Sequence, residues 1–401
     1  MWSSKSWKFL AVSLLFLFPA LTPAQHYKQT NLVSDIMGMA PTFDPNLKNP
    51  WGITRGSPTP ANPKGSPWWI GNNNSGTSTL YDGAGNPANF FPDPHPDSNG
   101  NGINSPFNNF VMVPPPGFAP GTQSAPTGVV FNGSPSDFQV APGKQSIFIF
   151  ATEDGTISGW NPGANPPASV TNAILKVDHS DNGSANSAVY KGMTSADIGG
   201  NRFLYVTNFR SARVEVYDTN FHRVPLNGSP FVDDAFVADE IPDGFAPFNI
   251  QNIGGTLFVT YAKQDGPRHD PVGGAGLGFV ELFTPAGFHI GHLEHGDWFN
   301  APWGVVWTTR DFGEFSNAIL VGNFRSGWIA AFNGFTHRFL GLLKNPDDTL
   351  ITIDGLWSLT LGNDGNAGPA NTLFFSAGIN NENDGLFGTI TPVDGLDGDE
   401  E

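Results

Sequence analysis

Cysteine is absent from the 401-residue chain. That excludes disulfide crosslinks, thiol catalysis, Cys-ligated zinc and covalently attached c-type haem. Charge is sparse, with Asp, Glu, Lys and Arg making up 14% of residues, against roughly 25% in an ordinary soluble domain. The charge that remains is mostly of one sign, 19 basic against 36 acidic residues. An acidic surface repels phosphate backbones, so nucleic acid is not an expected partner, whereas a divalent cation is compatible. After residue 24 no stretch is apolar enough for a membrane-spanning helix, which needs about 20 such residues. No amphipathic helix of three turns can be traced there either. Also missing are a Gly-x-Ser-x-Gly elbow, a phosphate-binding Gly loop and a His-Glu-x-x-His helix.

The first 24 residues read as a signal peptide. Lys5 and Lys8 precede the run Phe9 to Phe18, in which only Ser13 is polar, and Thr22-Pro23-Ala24 supplies small residues before Gln25. The expectation is therefore an exported protein, periplasmic or extracellular. Without Lys5 and Lys8 the chain carries 17 basic and 36 acidic residues, near −19. Export without disulfides demands a core large enough to hold itself.

Glycine (49) and proline (35) are abundant, and so are aromatic residues at 13%. Disordered chains are poor in aromatics, so this composition suits many short strands joined by tight turns. Those strands repeat. Asn208-Phe209-Arg210-Ser211, followed by Val214, Val216, Tyr217 and Asp218, returns as Asn323-Phe324-Arg325-Ser326 with Ile329, Ala331, Phe332 and Asn333. A second element precedes each copy: Asn49-Pro50-Trp51-Gly52-Ile53, Ala125-Pro126-Thr127-Gly128-Val129, Ala246-Pro247-Phe248-Asn249-Ile250 and Ala301-Pro302-Trp303-Gly304-Val305. Looser copies are Tyr190-Lys191-Gly192-Met193 and Leu356-Trp357-Ser358-Leu359.

Each unit is a three- or four-stranded meander. A lone meander exposes two apolar faces and is not stable. Radial stacking buries those faces, so six units from Asn49 to Pro392 predict an all-β, six-bladed β-propeller. The last unit lacks a fourth strand of its own, and the β-prone run Gln29 to Val33 lacks a partner; the one completes the other and closes the ring. Residues 25–393 form this single domain, residues 83–122 a long Pro-, Gly- and Asn-rich insertion, and residues 394–401 an acidic tail read as disordered.

The repeat resembles the NHL type, whose pattern is Pro-x-Gly-aliphatic, a strand, a polar turn, then Val-x-Val-Phe/Tyr-Asp. Ala125-Pro126-Thr127-Gly128-Val129 and Arg213-Val214-Glu215-Val216-Tyr217-Asp218 carry the likeness. The chain is also similar to an uncharacterised family of exported bacterial propellers, through Asn49 to Ile53, Ala246 to Gln251, Tyr261 to Asp265, Ala301 to Gly304 and Gly385 to Gly388. The resemblance implies the fold across nearly the whole chain. It leaves the activity open, since NHL-like propellers include binding scaffolds, lyases and metal-dependent lactone hydrolases.

Several residues can carry chemistry. In the Pro-x-Gly slot, Gly52, Gly128, Gly192, Gly304 and Ser358 are joined by Asn249, which either points a carboxamide into the channel or takes a left-handed conformation. Asp354 is a second channel candidate. Arg210 and Arg325 occupy equivalent turns and either grip an anion from two sides or pair locally. Asp97, Asn99 and Asn101, with Gly102 next, match the first half of a calcium loop, although Asn108 stands where a bidentate Glu belongs. That makes calcium or another divalent ion the cofactor to look for. His289, His292 and His295 lie near Glu294; in a regular strand His292 and Glu294 share a face and His295 does not, poor zinc geometry that reads as a polar outer strand. Trp51, Trp303 and Trp357 recur at one position and are expected to pack between blades.

Two readings follow. One is a non-catalytic, monomeric scaffold that binds a small molecule, polysaccharide or protein. The other is a metal-dependent hydrolase or a lyase with its site in the central channel.

Overall fold

A computed structural model describes residues 26–88, 109–117, 119–164, 171–225 and 241–393. The expected leader, the calcium set Asp97, Asn99 and Asn101, and the acidic tail lie outside these residues.

Six antiparallel sheets form the blades of a β-propeller. Blade one pairs Pro50–Thr54, Trp68–Asn72, Thr77–Tyr81 and Phe110–Met112. Its fourth strand thus falls within the span read as insertion. Blade two contains Pro126–Phe131, Phe148–Thr152, Thr156–Trp160 and Ile174–Asp178. Blade three has Tyr190–Ile198, Asn201–Asn208 and Arg213–Tyr217 among the described residues. Blade four is Phe245–Ile253, Thr256–Lys263, Phe279–Phe283 and His289–His292. Blade five is Pro302–Trp307, Ala318–Asn323, Ile329–Asn333 and Phe339–Leu342.

Blade six starts with Leu356–Leu361, Leu373–Ala377 and Leu386–Val393. Its fourth strand is His26–Ser34 from the other end of the chain, antiparallel to Leu386–Val393 with Gln29 opposite Ile390, and Thr42–Phe43 adds a short parallel edge to it. The expected closure is present and longer than Gln29 to Val33. Tyr27 pins it. Its ring stacks on Phe312 and Phe315, while its hydroxyl donates to Phe312 O and accepts from Phe315 N, each at 3.0 Å.

The first strand of each blade touches the first strand of the next, and blade six touches blade one, so these strands line the axis. The second strands are covered on both faces, which is why they read as apolar runs: all of Trp68–Asn72 and all of Ala318–Asn323 are buried. Between blades one and two, Trp69 stacks on Phe148 with centroids 4.0 Å apart. The Pro-x-Gly glycine is set by this crowding. A Cβ on Gly52 would sit 2.5 Å from Thr127 O of the next blade, and one on Gly304 2.6 Å from Trp357 O. Close approach, not a left-handed backbone, requires glycine in this slot.

Candidate functional site

Strand register places two repeat positions at one mouth of the ring. The first is the residue between Pro and Gly: Trp51, Thr127, Lys191, Phe248, Trp303 and Trp357. The second is the residue that follows the partner of the Pro position on strand two: Asn73, Glu153, Phe209, Ala262, Phe324 and Gly378. Most are apolar, and they plug the axis. Trp357 stacks on Trp51 and on Phe324, with Trp303 edge-on to Trp51 and Trp357. Trp51, Trp303 and Trp357 are all buried. The expectation of inter-blade packing for them holds, and at this level the channel is filled by side chains.

One charged residue occurs in each set, and the two meet. Lys191, fully buried, donates from Nζ to Glu153 Oε1 and lies 3.3 Å from Asp270 Oδ1. Its ammonium also sits 5.0 Å from the Trp51 ring centroid, a cation–π contact. Trp303 Nε1 donates to Lys191 O at 3.1 Å, fixing the lysine backbone. Asn73 Nδ2 donates to Glu153 Oε2 at 2.7 Å, so both Glu153 oxygens are engaged.

A loop of blade four supplies His269 and Asp270. Asp265 Oδ1 accepts from His269 N at 2.8 Å and Asp265 N donates to Asp270 O at 2.9 Å, closing the turn. His269 Nδ1 and Asp270 Oδ1 are 3.0 Å apart. That hydrogen bond raises the His269 pKa above its ordinary value and, from the other side, holds Asp270 well below the carboxylate range. Beside this loop opens a groove of about 470 Å³ bordered by Ala212, Phe245, Gln264, Asp265 and Arg268.

Blade six contributes Glu382. Asn380, Asn381 and Glu382 have φ of 55°, 54° and 66°, one turn of left-handed helix built without glycine. Such residues cost about 1–2 kcal/mol each, and Asn tolerates the conformation best. Strain of this kind gathers at functional sites. Glu382 accepts from Asn49 Nδ2 at 3.1 Å, and burial raises its pKa, with the Glu153 and Asp270 charges adding to the effect. Asn49 Oδ1 in turn accepts from Trp357 Nε1 at 3.0 Å, tying the acidic mouth to the plug.

The residues singled out in the sequence fall around this mouth in different roles. Asn249 is buried in an extended strand; its Nδ2 donates to Trp303 O at 2.8 Å and its Oδ1 packs where Gly192 leaves room. It has an ordinary negative φ, so neither a left-handed backbone nor a free carboxamide explains it. Asp354 is exposed and accepts from Asn380 N at 2.7 Å, holding the left-handed turn that presents Glu382. Arg325 donates from Nε and Nη2 to Pro271 O at 3.2 and 3.0 Å, clamping the loop next to Asp270. Arg210 donates to Ser187 O at 3.0 Å and to the Ser187 hydroxyl. The two arginines therefore serve separate backbone carbonyls instead of converging on one anion.

Glu153, Lys191, Glu382 and Asn49 were not singled out beforehand, and in the sequence His269-Asp270 reads only as an unspecific pair in a Gly-rich loop. A signal existed. Lys191 and Glu153 are the sole charges in two otherwise uncharged repeat positions, and a charge in a buried slot needs a partner. Among the described residues, Glu153, His269 and Asp270 offer donor atoms within 4.8 Å of one another, a set able to take a cation. Lys191 Nζ already lies against two of the three, so an incoming metal ion meets a resident ammonium. Chemically, the mouth is a ring of acceptors with one fixed positive charge and one oriented imidazole.

No family model matches the chain. It is 29% identical over 371 residues to an uncharacterized protein of Acanthamoeba polyphaga mimivirus, covering 91% of this chain and 80% of that one. A second uncharacterized mimivirus protein is 34% identical over 245 residues, 60% of this chain and 43% of the relative. These relatives are viral, whereas the exported propeller family that the chain resembles was expected to be bacterial. Among solved structures, a Bacteroides thetaiotaomicron protein of unknown function aligns with a TM-score of 0.48 and 8% identity, over 92% of this chain and 76% of that one.

Proposed function

We propose that the protein is a ligand-binding propeller whose site is the acidic mouth over the aromatic plug. The observation that carries this reading is the convergence of Asn49, Asn73, Glu153, Lys191, His269, Asp270 and Glu382 from five of the six blades. Three carboxylates against one lysine favour a ligand that donates hydrogen bonds, a polyol such as a sugar or an ammonium-bearing molecule. Lys191 and Asn73 preorganise Glu153, while Asp270 and Glu382 stand at the solvent side. The test is a melting screen with mono- and oligosaccharides and with polyamines. A ligand that raises the wild-type midpoint and loses its effect in Asp270→Asn and in Glu382→Gln supports the reading. A shift that survives both substitutions, or no shift with any member of the panel, overturns it.

A second reading rests on the His269–Asp270 pair. A carboxylate on Nδ1 orients an imidazole so that Nε2 can take a proton from a bound molecule, the geometry of a general base. In that case the same mouth performs a lyase or hydrolase step on its ligand. Turnover of lactones or esters that is abolished in His269→Ala, with ligand binding retained, distinguishes it from pure binding.

The leader-like residues 1–24 support export as part of the same proposal, with a mature chain starting at Gln25. Calcium at Asp97, Asn99 and Asn101 stays a separate proposal, tested by melting with and without chelator.

A further inference from the structure

A second cluster of metal-ligating side chains lies at the outer edge of blade four, on the strands farthest from the axis. In a regular strand His289 and His292, three residues apart, face opposite ways. The pairing here is not regular. Glu281 is opposite His292, Leu282 opposite Gly291, and Phe283 opposite His289, so Ile290 is an extra residue. A bulge of this kind shifts the alternation by one. Gly291, with φ of 155°, and Ile290 absorb it, and Ile290 is exposed. His289 and His292 thereby come to the same side of the sheet as Glu281.

Glu281 is unusual. It lies in a strand whose neighbours Val280, Leu282 and Phe283 are all buried, and it is itself 2% exposed. A carboxylate kept from water needs a positive partner. His289 Nε2 is 2.7 Å from Glu281 Oε2, and donor atoms of Glu281, His289 and His292 all lie within 4.8 Å of one another. Both histidines are exposed at the rim, so an ion can enter. Glu294, which sequence spacing placed beside His292, is turned away and accepts from Phe339 N at 2.9 Å. His295 is turned away as well; its ring stacks on Phe279 and its Nε2 is 3.0 Å from Gly276 O.

We propose that Glu281, His289 and His292 form a binding site for one zinc-like divalent ion at the edge of blade four. Two imidazoles and one carboxylate are a set that zinc accepts, with the fourth position left to water or to an incoming ligand. The softness of the donors favours zinc, cobalt or nickel over calcium and magnesium. In the axial cluster an incoming ion meets the Lys191 ammonium, which already lies against Glu153 and Asp270; here the ion bridges two imidazoles and one carboxylate. Bound there, it would tie the outermost strand of the blade to its neighbour.

The test is calorimetric titration of the chelator-treated, full chain with Zn2+, together with His289→Ala, His292→Ala and the axial control His269→Ala. One equivalent is expected in the wild type and in His269→Ala. Each of the other two variants should weaken binding by more than the roughly 10–100-fold that loss of an outer partner costs. Ethoxycarbonylation by diethyl pyrocarbonate, mapped by mass spectrometry on the wild type, needs no variant, and Zn2+ should protect His289 and His292 while leaving exposed His222 reactive. The proposal is overturned if the wild type binds no Zn2+, if one-equivalent binding persists in both rim variants, or if protection falls on His269 instead.

Discussion

The indole rings of Trp51 and Trp357 stack with centroids 3.5 Å apart and planes 20° from parallel. They belong to the first and last blades, so this contact closes the ring at its axis as the strand around Tyr27 closes it at the periphery. Trp357 also touches Trp303, Phe248 and Phe324. Trp357→Ala is expected to lower stability by about 3–5 kcal/mol, the usual cost of emptying a large aromatic site. Urea unfolding monitored by circular dichroism measures it. A loss below about 1 kcal/mol would mean the plug is not structural.

Lys191 is the one charge among the axial Pro-x-Gly residues. Lys191→Met leaves Glu153 without its ammonium while retaining the side-chain volume. Removing one partner of a buried pair costs about 3–5 kcal/mol. The double variant Lys191→Met/Glu153→Gln should regain much of that loss, because no unpaired charge remains. A double-mutant cycle from denaturant midpoints reads the coupling, and additive losses would show that the pair does not act as a unit.

The His269–Asp270 pair makes stability depend on pH in two directions. The folded pKa of His269 is raised above 6.5 by the hydrogen bond to Asp270. Its contribution is therefore complete below the ordinary histidine value and is lost as pH rises through the folded value. Asp270 is depressed below 3.8 by the bond to His269. Its contribution is complete above the ordinary aspartate value and is lost as pH falls through the folded one. The pair thus stabilises most between those two ordinary values. An NMR titration of the His269 ring should give a midpoint above 6.5, and Asp270→Asn should bring it down; an unmoved midpoint would break the assignment.

Glu382 sits in a left-handed conformation that glycine adopts without strain. Glu382→Gly gains up to about 1 kcal/mol from backbone relief and gives up the hydrogen bond from Asn49, worth about 1 kcal/mol. Little net change in melting is expected, alongside loss of the ligand response at the mouth. A large fall in melting temperature would instead give Glu382 a structural role.

Much of the architecture was legible in one dimension. The repeat of Pro-x-Gly and Asn-Phe-Arg-Ser, the six units and the unpaired strand near residue 30 all follow from periodicity, because each blade must bury both faces. The site was legible only in part. His269 and Asp270 stood out as a pair without a context, and Lys191 was read as a loose copy of the repeat. Asn249 and Asp354 drew notice for their positions, and the structure shows them holding Trp303 O and the Asn380 turn instead. The histidines of blade four lie on the polar outer strand expected of them, but the facing of His289 and His292 was not legible, because a single bulged residue reverses the alternation on which a strand reading depends.

Local patterning by itself determined the strands, their grouping into meanders and the closure of the ring, since those depend on which residues within one unit must leave water. Which charges meet was decided by tertiary structure alone. Lys191 and Glu153, 38 positions apart, and Glu382 and Asn49 at opposite ends of the domain become neighbours only when six blades wrap one axis. The bulge at Ile290 likewise takes effect only in pairing with Phe279–Phe283. Contacts across blades depend on the radius and rotation of the whole ring, quantities that no single repeat contains.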